Sequence, residues 1–355
     1  MSAFATEYPP EQAAVNKRAC LSGSGGLDGE DCMSITRRRA ITLGSTALIL
    51  PSVARAQMWP TGPVTLVVGY AAGGGPDINT RGLAQVMPAV TGQPAIVDNR
   101  AGAGGSIGIR AAAGARPDGQ TLLYATAPNI VIIPWLQKGM IDTLAALVPI
   151  CQTTAYQYAL MVNANLPVNS VGELVALARK EPGKLTYFSV GIGSATHLNS
   201  AWFTQAAGIN VTHVPYKGIS QGLLDVIGGT IDMGFGAPEA GLGHVRAGKL
   251  KMLAVTGDKR VELLPDVPTL KEQGIDMVMN GWHGLFAPAK TPDAILDKIE
   301  KDTKQVLTSA QWLDLLVKDG SETPPERTRA EFARFVTGEH AFWGRKLKEL
   351  KIEMD

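Results

Sequence analysis

Short apolar runs rich in β-branched residues alternate with helical patterns along most of this chain. Val64–Val68 predicts a strand, and Asp77–Val90 predicts the helix that follows it. Pro76 lies near the start of that helix and Gly92 just past its end, where these residue types are favoured. Because strand–helix alternation is typical of βαβ units, the sequence predicts an α/β protein with a largely parallel sheet.

The same alternation continues towards the C-terminus. Further strands are predicted at 95–97, 121–124, 158–162, 185–190, 211–214, 231–235 and 251–255. Further helices are predicted at 106–113, 171–180, 195–207 and 218–227, and three amphipathic helices after residue 288. The pattern indicates one α/β block interrupted by another, with chain crossings near 158–163 and 283–288.

The N-terminal region predicts export from the cytoplasm. Arg37–Arg39, the apolar stretch Ala40–Leu50 and the site Ala54-Arg55-Ala56 form the three parts of a signal peptide, predicted at 33–56 with cleavage after Ala56. The twin arginine indicates the Tat route, but Ala40 replaces the usual phenylalanine, so Sec stays open. Residues 1–32 have no apolar periodicity, and we expect either a start at Met33 or a disordered extension.

Removal of the predicted signal peptide changes the charge balance. Residues 1–56 hold six basic and five acidic residues, which leaves 27 of each in the mature chain. A net charge near zero argues against nucleic acid or an anionic membrane as the main partner. Cys20 and Cys32 also leave, and the remaining Cys151 predicts neither a disulfide nor a CxxC metal site.

Three glycine-rich turns predict the binding chemistry. They are Tyr70–Asp77, Asn99–Ser106 and Ser189–His197. Glycine lets the backbone approach a ligand, and the helix that follows presents N–H groups that bind anions without lysine or arginine. Each turn alone could merely cap a helix through Asp77 or Ser194. Together they predict an anion-binding cleft at the carboxyl ends of the strands.

Enzyme and metal motifs are weak. Gly104–Gly108 matches the G-x-S-x-G pattern of a serine hydrolase at Ser106, but the preceding strand ends several residues earlier. No dinucleotide, Walker or zinc-protease motif occurs, and the five histidines lack metal-ligand spacing. We expect no enzyme activity, cofactor or metal. His197 is predicted to contact either a ligand or its own loop, and Trp282 and His283 either the cleft or the core.

Several ordered segments resemble the extracytoplasmic solute receptors of tripartite tricarboxylate transporters, the Bug or TctC type. The resemblance covers Trp59–Lys351. Its segments are Trp59–Val68, Gly73-Gly74 with Asp77, Asp98–Gly105, Pro117–Leu123, Pro182–Leu185, Gly193-Ser194 with His197-Leu198, His213–Gly218, Arg246–Leu250 and Leu264–Thr269.

The resemblance implies a type II periplasmic-binding-protein fold, with lobe 1 at 57–160 plus 284–355 and lobe 2 at 161–283. It implies a small carboxylate held between the lobes, with the loop after Phe235 closing over it. The expected partners are a large and a small integral membrane subunit, and we expect a monomer. The predicted ligand-binding residues are Tyr70, Ala72, Gly73, Gly74, Asp77, Thr126, Ser189, Gly193, Ser194, Thr196, His197, Gly236 and Ala237.

Two departures from the family pattern bear on the ligand. Ala71 and Ala72 replace the usual prolines before the first glycine pair, and Gly236-Ala237 replaces a frequent Asp-Asn. The loss of two polar side chains disfavours ligands with an amino group, so we predict a carboxylate with an apolar or aromatic body. Two other functions stay open: an exported hydrolase using Ser106, and a ligand sensor for a membrane signalling partner.

Overall fold

A computed structural model of the protein describes residues 59–318 and 320–353. The predicted N-terminal extension and signal peptide at 1–56 lie outside the described residues. The strands are β1 Val64–Val68, β2 Ala95–Asn99, β3 Thr121–Thr126, β4 Leu147–Gln157, β5 Ala159–Asn163, β6 Thr186–Ser189, β7 Thr212–Pro215, β8 Met233–Gly236, β9 Leu250–Val255 and β10 Asn280–Pro288.

The helices surround two sheets. They are α1 Gly75–Thr91, α2 Ser106–Ala113, α3 Ile133–Leu136, α4 Thr143–Ala146, α5 Val171–Lys180, α6 Ala195–Ala207, α7 Ile219–Gly228, α8 Pro238–Arg246, α9 Asp293–Leu307, α10 Ala310–Lys318 and α11 Arg329–Leu350. A 3₁₀ turn at Ala103–Gly105 precedes α2, and a π-helical turn at Pro128–Ile132 precedes α3.

The ten strands form two mixed sheets of five, in the orders β2-β1-β3-β10-β4 and β7-β6-β8-β5-β9. In the first sheet, β1 runs parallel to β2 and β3, and β10 runs antiparallel to β3 and β4. In the second, β6 runs parallel to β7 and β8, and β5 runs antiparallel to β8 and β9. Each sheet therefore has four strands that run in one direction and a single strand, β10 or β5, that runs opposite to them, and the α/β prediction is confirmed.

Two chain crossings join the sheets. Tyr158 is the single residue between β4 of the first sheet and β5 of the second. The chain returns after β9 and enters β10 at Asn280. Tyr158 N donates to Thr256 Oγ1 at 2.9 Å, and Thr256 N donates to Tyr158 O at 2.9 Å. The two crossings are thus hydrogen-bonded side by side.

Most predicted elements are confirmed, and four of them have the predicted bounds: 64–68, 106–113, 171–180 and 195–207. The sequence did not predict β4, whose Pro149 argues against a strand. The structure places β4 at the edge of its sheet, where proline is tolerated. After Phe235, where a closing loop is expected, only Ala237 separates β8 from α8, which begins at Pro238.

The glycines of α8 explain why the sequence did not predict that helix. Gly241 and Gly243 lower its helix propensity. A Cβ at Gly241 would lie 2.6 Å from Met161 Sδ and 2.7 Å from Met252 Cε. Close packing on these two methionines of the second sheet therefore favours glycine at 241 over the local helix preference.

The hydrophobic core is continuous between the two halves of the molecule, one of which is built on each sheet. Trp202 of α6 packs against Phe342 and Trp343 of α11, with ring centroids 5.6 and 6.1 Å away. Lys346 also lies 4.6 Å above the Trp202 ring. Since α6 packs on the second sheet and α11 on the first, Trp202 joins the two halves away from the crossings.

Replacing Trp202 with alanine is expected to destabilise the protein by about 3–5 kcal/mol, the usual cost of removing a buried aromatic ring. Urea unfolding measures the change in the free energy of unfolding. Val317→Ala is the matched control, because Val317 is 75% exposed and should change stability by less than about 0.5 kcal/mol. Equal losses in the two variants would contradict the packing role of Trp202.

Candidate functional site

A cavity of about 580 Å³ lies between the two sheets. Strands β1, β3, β6 and β8 all end at its wall, as expected for a ligand site at the carboxyl ends of parallel strands. Tyr156, Gln157 and Tyr158 line it from the first crossing, and His283 lines it from the second. The cavity is therefore bounded by both halves of the molecule.

Asp77 organises the first glycine turn. Its buried carboxylate accepts hydrogen bonds from Gly73 N at 2.8 Å, Arg81 Nε at 2.9 Å and Asn99 Nδ2 at 2.8 Å. Burial raises the pKa of Asp77, but these three hydrogen bonds and the charge of Arg81 outweigh it and hold the pKa below its usual value. Asp77 is an anionic anchor for the turn.

A series of hydrogen-bonded neutral polar groups lies on the side of the cavity that the first sheet forms. Thr126 Oγ1 donates to Asn129 Oδ1 at 3.0 Å, so the Tyr70 hydroxyl, 3.0 Å away, donates to Thr126. Asn129 Nδ2 in turn donates to Gly104 O at 2.6 Å. Burial raises the pKa of Tyr70 despite these hydrogen bonds, which keeps its hydroxyl protonated.

Two further tyrosines and a histidine form an aromatic wall at the crossings. Tyr156 lies with its ring centroid 5.5 Å from that of Tyr158 and 5.0 Å from that of His283. Burial and the neighbouring tyrosines raise the pKa of Tyr156 well above its usual value, and burial raises that of Tyr158 to about 12. Both hydroxyls are therefore neutral hydrogen-bonding groups.

The turn between β6 and α6 is held by its own side chains. Ser194 caps α6 by accepting from His197 N at 3.2 Å, and its hydroxyl donates to Gly191 O at 2.6 Å. Val190 N donates to Thr196 Oγ1 at 3.0 Å. Gly193 N donates to His197 Nδ1 at 3.3 Å, so His197 binds its own loop, one of its two predicted roles.

Four helices begin at the cavity. Residues from the first turns of α1, α6, α7 and α8 line it. Ser194 caps α6, whereas α1, α7 and α8 begin without a side-chain cap. The first N–H groups of a helix have no partner within the helix and carry partial positive charge. Among the lining residues, Glu239 is the only Asp, Glu, Lys or Arg.

The structure brings seven of the thirteen predicted ligand-binding residues to the cavity wall. They are Tyr70, Thr126, Gly193, Ser194, Thr196, Gly236 and Ala237. The other six do not line it: Ala72, Gly73, Gly74, Asp77, Ser189 and His197. Of these, Ala72 and the two glycines are exposed in the first turn, while the remaining three are buried and bound to the loops.

The sequence did not predict several other residues that line the cavity. They include Asn79, Asn129, Tyr156, Gln157, Tyr158 and Ser321, whereas His283 lies in the cleft, one of its two predicted positions. Tyr156 and Gln157 belong to the unpredicted strand β4, and Ser321 comes from a loop near the C-terminus. The predicted crossings near 158–163 and 283–288, and the possible cleft position of His283, were the sequence signals that pointed to this wall.

Ser106 does not lie on a nucleophile elbow. It begins α2 after the 3₁₀ turn Ala103–Gly105, which separates it from the end of β2 at Asn99. Its side chain is buried, and Ser106 does not line the cavity. The geometry therefore lacks the strand-to-helix turn that exposes a hydrolase serine.

Residues 59–318 and 320–353 contain neither a candidate metal site nor a candidate membrane span. In those ranges no group of three His, Cys, Asp or Glu residues is placed to hold a metal ion. None of the helices described there is both long and apolar enough to span a bilayer.

Residues 80–352 match the family model of the tripartite tricarboxylate transporter family receptor. A Cupriavidus necator protein from the gbd 5′ region is 34% identical over 302 residues, covering 84% of this chain and 91% of its own length. The structure of periplasmic binding protein BugD has a TM-score of 0.72 at 30% identity, covering 84% of this chain and all of its own. R. palustris Rpa4515 with adipate has a TM-score of 0.75 at 30% identity and the same coverage. BugD is a periplasmic binding protein, and this chain shares its two-lobed fold.

His283 makes the stability of this protein acid-sensitive. Burial lowers its pKa to about 3, against about 6.5 in an unfolded chain. Below pH 6.5 the unfolded chain takes up a proton that the folded protein excludes. The stability from the neutral ring is therefore fully present above pH 6.5 and is lost as the pH falls towards 3.

Lowering the pH from 7 to 5 should reduce the free energy of unfolding by about 2 kcal/mol through His283. The substitution His283→Asn should remove that reduction. Asparagine keeps a polar atom near Nδ1, which lies 2.9 Å from Thr154 Oγ1, but does not titrate. Urea unfolding of the ligand-free protein at both pH values measures the effect. His244→Gln, outside the cavity, is the control, and a wild-type pH slope in His283→Asn would refute the assignment.

Proposed function

This chain belongs to the tripartite tricarboxylate transporter receptor family, and on that basis we propose that it captures a small carboxylate in the periplasm and delivers it to a tripartite membrane transporter. The observation that carries the proposal is the convergence of four helix N-termini on a cavity without lysine or arginine. Helix N-termini bind carboxylates through backbone N–H groups and partial positive charge. The likeness to a receptor with adipate supports the same ligand chemistry.

The rest of the ligand is apolar or aromatic. Apolar side chains from both halves face the cavity, among them Ile133 and Val190, together with the rings of Tyr156 and Tyr158. Gly236 and Ala237 line it without any polar side-chain atom. A volume of about 580 Å³ is in the range of small-molecule sites. These features favour a compact carboxylate with a hydrophobic body.

Capture proceeds by closure of two lobes, 57–160 plus 284–355 and 161–283, about the two crossings. A ligand that contacts both lobes only in the closed form shifts the population towards closure. Glu239 of α8 lies close to Gly320 near the C-terminus, which supports such a closed contact. A Cβ added at Gly320 would be 2.7 Å from Glu239 Oε2. The proposed ligand contacts are Tyr70, Thr126, Gly193, Ser194, Thr196, Gly236 and Ala237, with Tyr156 and Tyr158 added.

Export completes the proposed function. The signal peptide at 33–56, cleaved after Ala56, delivers the receptor to the periplasm. There the closed receptor, as a monomer, docks on a large and a small integral membrane subunit. No covalent step is required for this role.

Native mass spectrometry of freshly purified protein tests capture directly. We expect a bound carboxylic acid that is released unchanged on denaturation. Calorimetry with benzoate, adipate and aspartate then ranks the ligand classes, and we expect benzoate to bind more tightly than aspartate. Tight binding of aspartate with no binding of hydrophobic or aromatic carboxylates would refute the proposed ligand body.

The double substitution Gly236→Asp with Ala237→Asn should reverse this preference. A Cβ at Gly236 meets only Met161 Cε, at 3.5 Å, so position 236 has room for a Cβ. The added carboxylate should favour an amino group and weaken benzoate binding about tenfold or more, as expected for burying an unpaired polar group. Ala240→Asp adds the same charge outside the cavity and serves as the control. Unchanged ligand ranking in the double variant would argue against a ligand at this position.

A further inference from the structure

Two histidines lie behind the cavity loop Val190–Thr196. His197 is in the first turn of α6 and His213 is in β7, with ring centroids 4.7 Å apart. Neither side chain lines the cavity, whereas most of the loop in front of them does. Both histidines are therefore placed to act on a ligand only through the loop.

His197 is the acceptor for a loop N–H group. Gly193 N donates to His197 Nδ1 at 3.3 Å, and the backbone at Gly193 has a φ of +77°. Because Nδ1 accepts, the ring is neutral and carries its proton on Nε2. Protonation of Nδ1 would place two donors against each other at this contact.

His213 holds the opposite end of the loop. Its Nε2 lies 2.6 Å from Ser189 Oγ, and Ser189 Oγ accepts from Gly191 N at 3.2 Å. The ring also stacks on Tyr187 of β6, with centroids 5.0 Å apart. His213 thus connects the end of β6 to the ring of His197.

We propose that His197 and His213 are positioning residues, which hold the loop Val190–Thr196 in its ligand-binding shape only while the Nδ1 atom of His197 is unprotonated. Acid then weakens ligand capture by releasing Gly193 from its acceptor. The inference rests on the proposed carboxylate-binding function and adds a proton dependence to it.

The surroundings of the pair keep it neutral at pH 7. Burial first, and then the charge of His213, lower the pKa of His197 to about 4. Burial also lowers the pKa of His213. The titratable group facing the pair from β6 is Tyr187, whose pKa is raised to about 12 by burial, so it stays uncharged. No other charged group from the described elements shifts either histidine.

Long-range ¹H–¹⁵N spectra of the mature protein test the arrangement without any ligand. At pH 7 we expect His197 with its proton on Nε2, and on acidification we expect the Gly193 amide shift to follow His197 protonation. In His197→Asn, whose Oδ1 replaces Nδ1 as acceptor, the Gly193 amide should become independent of pH. An Nδ1–H tautomer of His197 at pH 7, or a Gly193 amide that ignores its titration, would overturn the proposal.

Binding of adipate, chosen as the probe, gives the functional comparison. His197→Leu should weaken binding about tenfold at pH 7, the loss of one buried hydrogen bond, whereas His197→Asn should bind as wild type does. Between pH 7 and 4.5, where adipate itself takes up protons, affinity should fall further in wild type than in His197→Asn. His213→Gln, which keeps a polar atom near Nε2, should retain binding at pH 7, and His340→Gln on α11 should behave as wild type.

The spectra and the binding measurements distinguish the positioning role of the histidines from the proposed carboxylate binding. Absence of binding by any carboxylate, in every variant, would refute the proposed function while the spectra still decide the role of the histidines. Equal pH dependence of binding in wild type and His197→Asn would refute the positioning role while leaving carboxylate capture intact.

Discussion

The reciprocal hydrogen bonds between Tyr158 and Thr256 fix the two chain crossings side by side, and the cavity depends on that arrangement. Thr256 Oγ1 also donates to Met279 O at 2.7 Å, which ties the return path to the same point. Gln157 Oε1 accepts from Gly257 N at 2.8 Å. Both sheets meet at these hydrogen bonds, so the ends of their strands face one another. Tyr156 and Tyr158 therefore become part of the cavity wall.

The proposed recognition of an anion without a lysine or arginine rests on the same geometry. Four helices start at the cavity, and Glu239 is the only Asp, Glu, Lys or Arg among the residues that line it. Tyr70, Tyr156 and Tyr158 keep their protons because burial raises their pKa values. A site built from backbone N–H groups and hydroxyls gains less affinity than a buried Arg–carboxylate pair, but it avoids the cost of burying a charge when the site is empty. Such a site suits a receptor that must release what it binds.

The sequence predicts the repeating units of this fold better than their connections. Strand β1 and helices α2, α5 and α6 follow local signals: β-branched runs, glycine turns, and caps such as Ser170 and Ser194. Strand β4 and helix α8 carry Pro149 and Gly241, residues that local rules exclude and that only tertiary position explains. Since β4 carries Tyr156 and Gln157 to the cavity, the missed strand also accounts for the missed wall.

Among the predicted site residues, the three buried ones that do not line the cavity share one chemistry. Asp77, Ser189 and His197 accept hydrogen bonds from the N–H groups of Gly73, Gly191 and Gly193 respectively. All three glycines have positive φ, so their N–H groups point away from the regular structure and need partners. A polar residue beside a glycine turn thus has the same sequence signature whether it binds a ligand or the turn itself. Sequence patterns can place both kinds of residue near a site, and only the direction of the side chain distinguishes them.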